Sequence, residues 1–251
     1  MDSLLYFNIN GDFANFRDQS ITTSNVTYSI PPKTTVIGII ASVLGIGRKN
    51  EATSDIKDAY SDEYLDLFKS IKVGMRVLSK NIQKIDVVTN HITLINNTKG
   101  GGVKPFKVEL LVKPHYQIFV YGDKNLLSKV KANIEDGNYK YTPFLGNAYC
   151  LAKLYNPTIL NQVAEVEDPN GKITSSVIVG ADLTLQQKGQ EGQVIVENHL
   201  HFIPPDKRET FDFWIPVNGK FAIDDYKQDQ NLGCKFIELD FNRSKEAVCL
   251  Y

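Results

Sequence analysis

Three short stretches of this chain carry side chains that could do chemistry. In "LVKPHYQ", Lys113, His115 and Tyr116 stand together. A histidine that moves protons, a lysine that stabilises a phosphorane and a tyrosine that positions would make a metal-independent ribonuclease set, which Tyr28 could join. The plainer reading is an ordinary strand. Lys113 and His115 share a strand face only if Pro114 does not bend it. In "ENHLHF", Glu197, His199 and His201 alternate, so a strand would turn all three to one side. Two histidines and a carboxylate begin a metal site, but no third strong ligand announces itself, and half-buried strand histidines give the same pattern. The expectation is no metal and no cofactor. In the first connection, Phe13, Phe16 and Arg17 suit stacking on unpaired bases beside a phosphate contact. The same phenylalanines could instead pin the loop to the core.

A fourth stretch, "YSIPPKTTVIGIIASVLGIGR", excludes more than it offers. Lys33-Thr34 follows prolines, which have no amide to wrap a phosphate, and "GIGR" is not G-x-G-x-x-G, so nucleotide hydrolysis is not expected. The apolar run Val36 to Ile46 is about half of what a membrane-spanning helix needs. The stretch reads as a helix from about Lys33 to Gly45, with prolines at its start. Thr34 or Thr35 could satisfy its first amides, or the Lys33, Thr34, Thr35 end could hold a phosphate. Val36, Ile40, Val43 and Leu44 form an apolar stripe. Gly38, Ala41, Ser42 and Gly45 form a small-residue stripe that would let a neighbouring backbone come close.

The elements that must position these groups are read from periodicity. "SLLYFNIN" is a strand ending at Gly11, and a long polar connection leads to the helix. "SDEYLDLFKSI" is a second helical piece capped by Ser61. "KVGMRVLSK" and "KIDVVTNHITLI" are extended, "NNTKGGGVKP" is a loop tip, and "FKVELLVKPHYQIFVYG" is a strand broken or bent at Pro114. "DKNLLSKVKANIEDG" is an amphipathic helix between Asp123 and Gly137, and "YTPFLGNAYCLAKLY" is a turn followed by a strand. Without the extended arm the order is β-α-β-β-α-β, which is ferredoxin-like. From about residue 156 the chain is β-rich. The fold class is therefore α+β.

Charge is segregated. Residues 1–68 hold 5 Lys and Arg against 9 Asp and Glu, residues 69–131 hold 12 against 3, and residues 132–251 hold 11 against 17. A basic centre between acidic flanks fits a polyanionic partner, an acidic protein partner or a solvated surface. The 3 cysteines are scattered, which fits a reducing cytosol rather than a disulfide framework. The start has no basic, apolar leader pattern, so no signal peptide is expected.

The stretch from Asn8 to Arg48 resembles the N-terminal signature of CRISPR-associated protein 5, a RAMP-superfamily subunit of type I Cascade complexes. The shared features are a strand ending in glycine, a Phe-Arg loop, a tyrosine, a Pro-Lys-Thr helix start, then Gly-Ile-Ile and a second glycine. "YTPFLGNAYC" resembles the family's second marker, a Pro-aromatic-Leu-Gly turn. The resemblance implies a ferredoxin-like (RRM-like) palm over 1–155, a β-hairpin thumb inserted at about 80–110, and a β-rich region over 156–251 packed on the palm. It implies cytoplasmic capping of the crRNA 5′ handle, contacts with the Cascade backbone and large subunits, indirect contact with target DNA, and no membrane. The implied RNA-binding positions are Phe13, Phe16, Arg17, Lys33, Thr34, Thr35, Arg48, Lys99, Gly100, Gly101, Gly102, Lys104, Tyr141, Gly146 and Asn147. One branch of the family cleaves the repeat with a Tyr, Lys, His set, here Tyr28, Lys113 and His115. A proline separates the last two here, where that branch has them adjacent, and the signature is closer to the non-cleaving, type I-B-like branch. No catalysis is expected. The alternatives are a repeat endoribonuclease of the same fold and a scaffold without RNA.

Overall fold

The structure is a computed structural model that describes residues 2–21, 24–47, 60–92, 103–166, 172–179, 193–203, 207–217, 221–222, 234–241 and 244–251. In chain order the elements are β1 (Asp2–Asn10), β2 (Phe13–Ala14), α1 (Lys33–Leu44), α2 (Asp62–Ser70), β3 (Lys72–Val77), β4 (Gln83–Ile92), β5 (Val103–Val112), β6 (His115–Asp123), α3 (Lys124–Asp136) and β7 (Lys153–Leu160). The β-rich remainder holds β8 (Ala164–Val166), β9 (Lys172–Ile173), β10 (Val177–Val179), β11 (Gln193–Ile203), β12 (Lys207–Val217), β13 (Phe221–Ala222), β14 (Lys235–Phe241) and β15 (Ser244–Leu250).

The central sheet runs β3–β6–β1–β7, antiparallel throughout. Alternation along β1 decides what each face meets. Leu5, Phe7 and Ile9 point to the cluster that also holds Ile37 and Ile40 of α1 and Leu127, Val130 and Ile134 of α3. Leu4 and Tyr6 point the other way, with Phe119 and Tyr121 of β6. That second face is covered by a five-stranded sheet, β13–β9–β15–β14–β8, through Ile237, Leu239, Val248 and Leu250. Each such apolar side chain fully removed from water contributes about 1.5–3 kcal/mol. Gly74 permits the close approach, since a Cβ there would sit 2.3 Å from the Cys249 carbonyl oxygen. Val73 and Tyr251 exchange two backbone hydrogen bonds at this seam. Arg76, which lies over the Phe119 ring, pairs with Glu246 at 2.8 Å and bonds Thr174. The C-terminal region also extends the central sheet, as β12 runs parallel to β3 at Val217 and Val77 and carries β10 and β11.

Helix ends obey their capping residues. Ser61 caps α2 and Asp123 caps α3, while Gly45 and Gly137 end α1 and α3 in the left-handed conformation. Helix α1 begins after Pro32 with no side-chain cap, so neither Thr34 nor Thr35 serves as one.

One expectation is decided between its alternatives and one is corrected. The segment "FKVELLVKPHYQIFVYG" is broken rather than bent at Pro114, and its two parts enter different sheets. β5 ends at Val112, Lys113 takes φ +47°, and β6 begins at His115 in a different sheet. A proline with no amide and a residue in left-handed backbone end the ladder there. β5 instead pairs with β4 over ten positions and with β2 at Phe13 and Ala14. The small-residue stripe of α1 is not a seam along its whole length. A Cβ at Gly38 would meet nothing within 4 Å, and the close approach lies at its C-terminal end, where the Ser42 carbonyl accepts the Tyr141 N–H at 3.1 Å and a Cβ at Gly45 would come 2.8 Å from Lys140 Cγ.

Candidate nucleic-acid interface

The two sequence markers meet in space. Gly11, where β1 ends, lies under the turn of residues 143–152, and a Cβ there would come 2.7 Å from the Leu151 carbonyl oxygen. Gly146 in that turn has φ +88°, and a Cβ would fall 1.8 Å from the Asn15 carbonyl oxygen. Asn15 joins the parts. Its N–H donates to the Leu145 carbonyl at 3.0 Å, and its Nδ2 donates to the Glu109 carbonyl of β5 at 2.8 Å. Its Oδ1 accepts from Asn147 Nδ2 at 2.7 Å, and Asn147 also reaches the Tyr149 hydroxyl. First connection, turn and ribbon root are therefore one hydrogen-bonded unit.

Beside this unit a cleft of about 540 Å³ opens along α1. Its floor is Thr34, Thr35, Gly38 and Ser42, and its walls are Tyr60, Tyr64, Tyr141, Phe144 and Gly146. Tyr60 and Tyr64 stack at 5.1 Å. Tyr141 and Phe144 expose 50% and 42% of their surface, so their ring faces are available to a ligand. Aromatic walls, a floor of small residues and helix-start hydroxyls suit an unstacked base with its phosphate.

The expected residues divide accordingly. Thr34, Thr35, Tyr141 and Gly146 line the cleft; Asn147 braces it; Phe13 and Arg17 are exposed on the first connection but line no part of it. Phe16 is buried against Tyr116, so it pins the loop and offers no face for stacking. Lys33 lies over the Phe68 ring, and burial with the neighbouring Lys72 holds its pKa down to about 8, so it faces inward rather than into the cleft. Arg48, Lys99, Gly100, Gly101 and Gly102, and the Lys104 side chain, lie outside the described residues.

The ribonuclease set is not assembled. Lys113 and His115 share clefts that Tyr28 does not line. The Tyr28 hydroxyl donates to Asp18 at 2.8 Å and accepts the Leu200 N–H at 3.0 Å. Tyr116 is buried and donates to the Ser29 carbonyl. The tyrosine at His115 is Tyr155, whose hydroxyl lies 2.7 Å from Nε2, and burial lowers the His115 pKa.

Glu197, His199 and His201 do share one side of β11, turned inward. Burial alone would raise the Glu197 pKa, but hydrogen bonds from His199 and Ser29 and the Lys84 charge bring it down to about 2. His201 is held at about 3 by burial, with His199 and Lys33 adding to it. Among the described residues no group of three His, Cys, Asp or Glu is placed to hold a metal.

A family model described as CRISPR-associated protein (Cas_Cas5) matches residues 4–212. The chain belongs to the CRISPR-associated protein 5 family. Its fold is similar to "Crystal structure of a CRISPR protein from Archaeoglobus fulgidus", with TM-score 0.57, 14% identity, and coverage of 99% of this chain and 98% of that one. It is also similar to a chain of a "CRISPR RNA-guided surveillance complex", with TM-score 0.53, 13% identity, and coverage of 87% and 91%. No curated protein matches the sequence. No helix among the described residues is long and apolar enough to cross a membrane.

For this Cas5-family chain, sequence reasoning missed Asn15, Tyr60, Tyr64, Phe144 and Tyr155. Tyr60 stands before the Ser61 cap of α2, so no helical spacing tied it to Tyr64 and the sequence carried no signal for that cleft wall. Phe144 is the aromatic position of the Pro-aromatic-Leu-Gly turn itself, and that was its signal.

Proposed function

We propose that this chain is a non-cleaving, RNA-binding subunit of a type I Cascade surveillance complex, type I-B-like, acting in the cytoplasm. It holds the 5′ handle of the crRNA, joins the Cascade backbone and large subunits, and meets target DNA indirectly. The observation that carries this reading is the cleft built where the two family markers meet. The β3–β6–β1–β7 order supports a ferredoxin-like palm over 1–155, with the β4–β5 ribbon as a thumb near 80–110 and 156–251 packed on it. An RRM-like domain would stack bases on its sheet face. Here that face lies under the second sheet, so the RNA takes the α1 cleft instead.

The full-length protein should copurify with RNA carrying one defined 5′ end. Gly38→Leu fills the cleft floor and should weaken RNA binding about tenfold or more, equivalent to about 1.4 kcal/mol. Unchanged affinity in that variant would overturn the site. The purified protein should leave repeat RNA intact, and clean cleavage abolished by His115→Ala would overturn the non-cleaving reading.

A further inference from the structure

The strand pattern Glu197, His199, His201 is absorbed by none of the roles above, and it sits at a crossing of three elements. The Glu197 carboxylate accepts from the Ser29 N–H at 2.8 Å, from the Ser29 hydroxyl at 2.5 Å and from His199 Nε2 at 3.0 Å. Lys84 of β4 reaches it at 3.4 Å while donating to the Thr27 carbonyl at 2.7 Å. Glu109 of β5 stands 3.6 Å from the same ammonium and accepts the Thr27 N–H at 3.0 Å. Between these two clamped residues the Tyr28 ring stacks on His199 at 3.9 Å.

Segment 27–29 is thus gripped from the C-terminal ribbon on one side and from the β4–β5 ribbon on the other. Beyond Ser29 the chain passes through Ile30, Pro31 and Pro32 to the first residue of α1. Two consecutive prolines fix their φ angles and make a stiff tether. Where Ser29 is held therefore decides where the first turn of α1 lies, and that turn carries Thr34 and Thr35 into the cleft.

We infer that Glu197 is a positioning residue for the cleft: it ties the C-terminal ribbon to the start of α1 and to the root of the β4–β5 ribbon. The inference rests on the RNA-binding reading only for its functional consequence. Glu197 lines no part of the cleft, so it acts through Ser29 and Lys84.

The test compares the full-length protein with Glu197→Gln and Ser29→Ala. The control is Glu246→Gln, which disturbs the seam between the sheets. Hydrogen exchange is read at Ser29 and along the first turn of α1. Binding of a fluorescein-labelled oligoribonucleotide of about ten residues is read by anisotropy across a salt series. In Glu197→Gln and Ser29→Ala, exchange at those amides should accelerate. The Kd should rise about tenfold. The salt slope and the binding-competent fraction should not change, because no phosphate contact is removed. Glu246→Gln should lose thermal stability with Kd unchanged. Unaltered exchange at the α1 start in Glu197→Gln overturns the inference whether or not RNA binds. So does a Kd equal to that of the parent, or an equal loss of affinity in Glu246→Gln. If the parent protein itself fails to bind RNA, the RNA-binding reading fails, and exchange alone decides the positioning role.

Discussion

Glycines of opposite meaning stand on either side of this cleft. Gly146 has no room and the wrong backbone angle for a side chain. Gly146→Ala should cost at least about 2 kcal/mol in urea unfolding, from left-handed strain plus collision with Asn15. Gly38 has open space and helical backbone. Gly38→Ala should stabilise the protein by about 0.5–1 kcal/mol in the same measurement, the usual gain for a mid-helix glycine. The importance of Gly146 was legible, because a Pro-aromatic-Leu-Gly turn states its own requirement. The role of Gly38 was not, because periodicity reveals a small-residue stripe but not whether a backbone or solvent lies opposite. That a loop phenylalanine pins the connection to the core was legible, though not that it is Phe16 rather than Phe13; the inward turn of Lys33 was hidden, since a basic residue suits both a ligand and a half-buried site.

At the scale of elements, capping chemistry was readable and sheet membership was not. Asp123 accepts from the Asn125 and Leu126 amides, and Asp123→Ala should cost about 1 kcal/mol of stability. Pro114 was visible as a break, but that β5 and β6 would enter different sheets depends on Asp12 and Gly11, which bond Lys113 and Pro114 from across the chain. The inward face of β11 makes a pH prediction. His201 sits at about 3 against an ordinary 6.5, so between those values the unfolded chain takes a proton that the folded chain refuses. Glu197, at about 2 against 4.5, acts in the same direction over a lower window. Stability should therefore fall as pH drops below 6.5 and fall further below 4.5. Chemical denaturation at stepped pH should show the upper part of this loss shrink in His201→Phe, with His115 contributing the remainder.

For the whole molecule, the segregation of charge is plain in the sequence, but it does not locate the cleft, whose described lining carries no Lys or Arg. On the proposed reading, RNA affinity should fall linearly in log–log with salt, by about 0.7 per phosphate neutralised. The second sheet was legible only as β-rich sequence, because which face it covers is set by contacts between residues far apart, such as Val73 with Tyr251 and Gly74 with Cys249. Arg76→Ala takes the guanidinium away from the buried Glu246 carboxylate and should cost about 3–5 kcal/mol in urea unfolding. The seam has a practical consequence for anyone wishing to trim the protein. A chain cut after β7, at residue 160, would keep the residues that line the cleft, the turn and the β4–β5 ribbon, but it would lose the Glu197 hold on Ser29 and lay Leu4, Tyr6, Phe119 and Tyr121 bare on one flat, sticky surface. Such a fragment should precipitate or self-associate, and its solubility on expression would show how far the N-terminal half depends on its cover.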